Sequence, residues 1–154
     1  MRRRGATRLA LTLLLIAHTP MVLPAAPADG LPSLVTLEGR VERRSGNRLP
    51  GPGAAAPSAA AAGYQVVAIS GTLPAAGQPL WRQPLPAGRV IGHARTDGTG
   101  RFRLQVPAGT VTVLLAVPGG HWLNRFDGQG DYSSVHVRPG MAPLLLLDDR
   151  GALH

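Results

Sequence analysis

Apolar and polar residues alternate along much of this chain. From 34 to 42, Val35, Leu37, Gly39 and Val41 fall on one side and Thr36, Glu38, Arg40 and Glu42 on the other, the period of two expected of a strand with one buried face. Residues 100–106 repeat the pattern, with Phe102, Leu104 and Val106 set against Arg101, Arg103 and Gln105. Between 110 and 117 both sides are apolar or small, which predicts a central strand covered on both faces. Residues 64–70, 89–96, 132–138 and 143–148 complete a set of seven predicted strands.

The stretches between them are built for turning. Asp97-Gly98-Thr99-Gly100 predicts a turn between two strands, because glycine supplies the positive φ that tight hairpins need, and Pro107-Ala108-Gly109 makes the next connection in the same way. With 20 Gly and 15 Pro in the chain, turns are many and long helices few. Residues 43–63 are rich in Pro, Ala and Gly and predict a long loop rather than a helix, despite the alanines at 59–62. A second loop is expected over 71–88, carrying Trp81. Short strands, turn signals and no amphipathic helical stretch argue for an antiparallel sandwich.

Residues 1–28 have a different character. Arg2, Arg3 and Arg4 precede an apolar run over 9–17, and Ala26-Pro27-Ala28 follows. That order of charged, apolar and small residues is the pattern of a secretory leader, cleaved between Ala28 and Asp29. The alternative is an uncleaved anchor, since 9–28 is long enough to span a bilayer. Pro20, Pro24 and Pro27 argue against a continuous helix there. The expectation is export to the periplasm or the medium, with residues 29–154 as a single domain that has no stable membrane span once the leader is removed.

The leader changes the reading of charge. The formal net charge of the 154 residues is +8, and removing Arg2, Arg3, Arg4 and Arg8 leaves +4. The remaining arginines are scattered, with no basic run interleaved with aromatics, so nucleic acid is not an expected partner. Cysteine is absent, which excludes disulfides, thiolate nucleophiles, Cys-ligated metals and lipoprotein acylation.

The stretches Leu37-Glu38-Gly39-Arg40-Val41, Ser45-Gly46, Leu49-Pro50-Gly51 and Thr96 to Leu104, the last running into Val106-Pro107-Ala108-Gly109-Thr110-Val111-Thr112-Val113, together resemble carboxypeptidase regulatory-like domains. The resemblance covers about two thirds of the chain after the leader. It departs where Val111 stands in place of the family's usual Tyr or Phe, and in the longer, alanine-rich loop after Leu49. The resemblance implies an all-β fold, a seven-stranded antiparallel Greek-key sandwich of the transthyretin-like type. It also implies a non-catalytic module, in a group where related sandwiches bind carbohydrate.

Candidate chemistry is sparse. His93, His121, His136 and His154 fall in no metal-binding spacing. Ile69-Ser70-Gly71 lacks the first glycine of a nucleophile elbow, and neither the C-terminal Tyr-Arg-Gly-Ser of hydroxyisourate hydrolases nor the Tyr and His set of intradiol dioxygenases is present. A metal-dependent or hydrolytic enzyme is therefore the least favoured class, and no cofactor is expected. The densest cluster of binding chemistry is 119–132, which holds Trp122, Asn124, Asp127 and Asp131 in one glycine-rich loop. An aromatic plate beside amide and carboxylate groups suits sugar recognition, with Trp81 as a second plate. Asp127 and Asp131 miss the spacing of a Ca²⁺ loop. The competing reading is that Trp122, Phe126 and Tyr132 close the core while Asp and Gly make turns. The expected role is that of a secreted binding or accessory module for an envelope protein or polysaccharide.

Overall fold

The structure is a computed structural model that describes residues 32–47 and 58–153. The leader expected over 1–28, the expected cleavage pair Ala28 and Asp29, and residues 48–57 lie outside the described residues. The strands are β1 (Leu34–Asn47), β2 (Ser58–Ala60), β3 (Gln65–Ser70), β4 (Leu80–Trp81), β5 (Val90–Arg95), β6 (Arg101–Pro107), β7 (Gly109–Val117), β8 (Gly120–Trp122), β9 (Val135–Val137) and β10 (Leu144–Leu153). All seven predicted strands are present, and no described residue is helical.

Two sheets pack face to face as a β-sandwich. In the first, β1 pairs with β10 on one side and with β6 and β2 on the other; the second runs β4-β8-β7-β3-β5, with β9 also on β7. The alternation in β1 and β6 decides which face turns inward. Val35, Leu37, Val41, Phe102, Leu104 and Val106 are buried, each worth about 1.5–3 kcal/mol as a fully buried apolar side chain. Their outward neighbours make exposed pairs such as Arg103 Nη2 to Glu38 Oε1 at 2.5 Å, which contribute about 0–1 kcal/mol. Burial wins by a wide margin.

Gly39 has a specific use inside β1. It lies directly opposite Phe102, and a Cβ there would sit 2.3 Å from the Phe102 ring. The missing side chain makes the pocket for one of the few aromatics of a core built mainly from Val and Leu.

The second sheet is buried on both sides, as the pattern in 110–117 predicts: Val111 to Leu115 and Val66 to Ile69 are all buried. Its inner face meets β6, since a Cβ on Gly92 would lie 3.2 Å from Leu104 and 3.3 Å from Val106. β4 and β5 lie at the two ends of the sheet order and are joined by residues 82–89, of which Leu85 packs against the core. Residues 71–79 are fastened beside them: Thr112 Oγ1 donates to Gly71 O at 2.7 Å, and the Tyr132 hydroxyl donates to Gln78 O at 2.7 Å. Leu73 and Ala75 are buried there.

Three points differ from the sequence reading. The β1–β10 ladder is parallel, from Gly39 opposite Leu144 to Asn47 opposite Leu153, so the first sheet is mixed and not purely antiparallel. Alternation fixes which residues face the core but carries no information on strand direction. The 43–63 loop is shorter than expected at both ends, because 43–47 continue β1 and 58–60 form β2 upon it. The 71–88 loop contains β4.

Candidate functional site

The polar interior of the sandwich is organised around two consecutive acids near the end of β10. The β1–β10 register slips between Arg43 opposite Asp148 and Ser45 opposite Gly151, which leaves Asp149 and Arg150 facing the single residue Arg44. Such a bulge breaks the strict in-out alternation of a strand. Asp148 and Asp149 are both buried, at 2% and 4% exposure.

Asp148 is satisfied from three directions. The Tyr64 hydroxyl donates to its Oδ2 at 2.6 Å, while Arg150 donates from Nε to Oδ1 at 2.8 Å and from Nη2 to Oδ2 at 2.9 Å. Burial pushes the carboxyl pKa up, but the hydrogen bonds from Arg150 and Tyr64 outweigh it and hold it below the ordinary value. Burial and the bond to Asp148 raise the Tyr64 phenol, so the trio is Tyr-OH, carboxylate and guanidinium at neutral pH. The bidentate pairing fixes the plane of the guanidinium. Asp148 takes Arg150 Nε and Nη2, and the guanidinium also interacts with the Tyr64 hydroxyl.

Asp149 gathers side chains from β8 and the residues just after it. Trp122 Nε1 donates to its Oδ1 at 3.2 Å and Asn124 Nδ2 to its Oδ2 at 2.9 Å. The structure therefore brings Trp122 and Asn124 together on a buried carboxylate. Trp81 stands elsewhere: it lies opposite His121, while Leu80 lies opposite Trp122, so the two tryptophans occupy opposite faces of the sheet. Trp81 Nε1 and His121 Nδ1 are buried with no hydrogen-bond partner among the described residues. Burial first, and His93 second, hold the His121 pKa below its usual value. Gly120 permits this arrangement, because a Cβ there would lie 2.1 Å from Trp81 O.

Asp127 and Asp131 belong to a turn. Asp127 Oδ1 accepts from the backbone N–H groups of Gln129 at 2.7 Å and Asp131 at 3.2 Å. The same device occurs at Asp97, whose Oδ1 accepts from Thr99 N at 2.8 Å and Arg101 N at 3.0 Å. Both segments read Asp-Gly-x-Gly. The shared motif is a sequence signal that identifies Asp127 as a turn residue. Asp131 also bridges to Pro74, and Phe126 stacks on Tyr132 at 5.9 Å.

Two clefts meet over Tyr64 and Arg150. The larger, about 970 Å³, is walled by 62–65, 93–95, 116–118 and Arg150. The smaller, about 340 Å³, is walled by 43–45, Tyr64, Asp148, Arg150 and Gly151. None of Trp81, Trp122, Asn124, Asp127 and Asp131 lines either cleft. Sequence reasoning missed this site, whose available signal is a run of four leucines leading directly into two acids and an arginine. Among the described residues no three His, Cys, Asp or Glu side chains gather to hold a metal ion. Comparison with family models, with curated proteins and with solved structures finds no match for the chain.

Proposed function

We propose that this chain is an exported, non-enzymatic binding module, and that its ligand occupies the clefts over Tyr64 and Arg150. The observation that carries this reading is the Tyr64–Asp148–Arg150 arrangement, in which a buried carboxylate holds a partly exposed guanidinium rigid between the two clefts. Preorganised polar groups at the wall of a concave surface are what selective binding requires. The leader pattern in 1–28 and the resemblance to carboxypeptidase regulatory-like modules support the same role, in service of an envelope polymer or protein.

A second reading places carbohydrate on the 119–132 loop. The observation in its favour is Phe126, 39% exposed and backed by Tyr132. Co-sedimentation of the purified protein with isolated cell-envelope material separates the two. Ala62 is exposed and lines the larger cleft, so Ala62→Trp is expected to abolish sedimentation while Phe126→Ala leaves it intact. The opposite outcome transfers the site to the loop, and no sedimentation of the unmodified protein removes the envelope as its target.

A further inference from the structure

Among the described residues, the larger cleft is lined by Arg95 and Arg150, with His93, Gln65 and Tyr64, and by no acidic residue. The smaller adds Arg43 and Arg44, and its one acid, Asp148, is already occupied by Arg150 and Tyr64. The two clefts share a wall, so together they present four guanidinium groups against one committed carboxylate.

These arginines are held with donors to spare. Arg95 Nε donates to Gly63 O at 3.1 Å, which anchors its stem and leaves both terminal nitrogens available. Arg150 is fixed by Asp148 as described. Arg43 and Arg44 have no side-chain partner among the described residues. Elsewhere on the same sheet the surface arginines Arg40 and Arg103 meet Glu42 and Glu38. Arg43, Arg44 and Arg95 have no such acidic partner among the described residues.

We infer that the clefts bind an acidic polysaccharide, a chain whose carboxylates meet Arg95, Arg150 and the Arg43–Arg44 pair in turn. This rests on the binding-module reading above. A guanidinium fork matches a carboxylate in two parallel hydrogen bonds. Between the cationic groups the wall is Ala62, Gly63, Ala116, Val117 and Pro118, small and apolar, suited to the C–H faces of sugar rings. Gln65 and His93, which approach each other at 3.4 Å, supply hydroxyl partners. A nucleic-acid strand would need aromatic platforms for its bases, and the one aromatic among the described residues of the clefts, Tyr64, is tied to Asp148.

The test is calorimetric titration of the full chain at low salt with oligogalacturonate, beside the same oligomer fully methyl-esterified, galacturonate monomer, inorganic phosphate and a single-stranded oligonucleotide. The acidic oligomer is expected to bind about tenfold or more tighter than its ester, since each lost charge-assisted contact is worth about that factor. Arg95→Gln and the Arg43→Gln/Arg44→Gln pair are each expected to weaken it by about tenfold with thermal unfolding unchanged, and Arg103→Gln to leave it as it was. Equal binding of acid and ester, tighter binding of the oligonucleotide, equal binding of monomer or phosphate, indifference to the arginine variants, or no binding would each overturn the inference. Binding of the neutral ester that Ala62→Trp blocks would overturn the acidic ligand and leave the binding-module reading standing.

Discussion

The chain carries two pairs of nearby acids, and the fold treats them in opposite ways. Asp127 and Asp131 lie in a glycine-rich loop, where Asp127 turns its carboxylate back onto the backbone of its own turn. Asp148 and Asp149 are consecutive on a strand, buried, and bonded to side chains from 64, 122 and 124. The first pair organises a few residues; the second ties the two sheets together. Polar residues crowded in a loop look like a site, yet local geometry is sufficient reason for them. Acids inside an apolar interior need an external reason, because an unpartnered buried charge is not tolerated.

The largest effect that distinguishes the pairs is expected from Asp148→Ala. It strips a partly exposed guanidinium and a half-buried phenol of their acceptor, and urea unfolding should show a loss of about 3 kcal/mol. Asp149→Ala is expected to follow at about 2–3 kcal/mol, since it leaves the Trp122 indole and the Asn124 amide without their acceptor. Asp127→Ala and Asp97→Ala should each lose about 1 kcal/mol and resemble one another. A loss at Asp127 as large as that at Asp148 would break the comparison.

Acid sharpens it further. Because hydrogen bonding depresses the Asp148 pKa below 3.8 in the folded state, its contribution is fully present above that value and is lost as pH falls through the folded value. Asp148→Asn should flatten the unfolding profile in that range. The smallest expected effect belongs to His121, whose pKa is depressed below 6.5 by burial. The unfolded chain then binds the proton more readily, so stability should decline gently as pH drops below 6.5, and His121→Gln should remove that slope.

Much of the fold is legible in the sequence because burial on one face imposes a period of two. Val35, Leu37 and Val41, or Phe102, Leu104 and Val106, announce their strands. β2, β4 and β8 do not, since two or three residues are too few to display a period. The extension of β1 through Arg43 and Arg44 is hidden for another reason: it leaves the apolar core and lines a cleft. The site was the least legible part. A bulge suspends alternation at Asp148 and Asp149, so neither their burial nor their partners follow from the pattern around them.

The parallel ladder between β1 and β10 has a consequence for how the chain comes into being. It joins strands from opposite ends of the described sequence, and β1 fills its other side with β6 and β2. Pairings so distant in sequence form slowly and late. The first strand to leave the ribosome must therefore wait, without one of its lasting neighbours, until Leu153 has been synthesised. Until then β1 keeps an open edge, so closing the first sheet is the last act of assembly, and removal of residues 144–153 would leave that edge exposed.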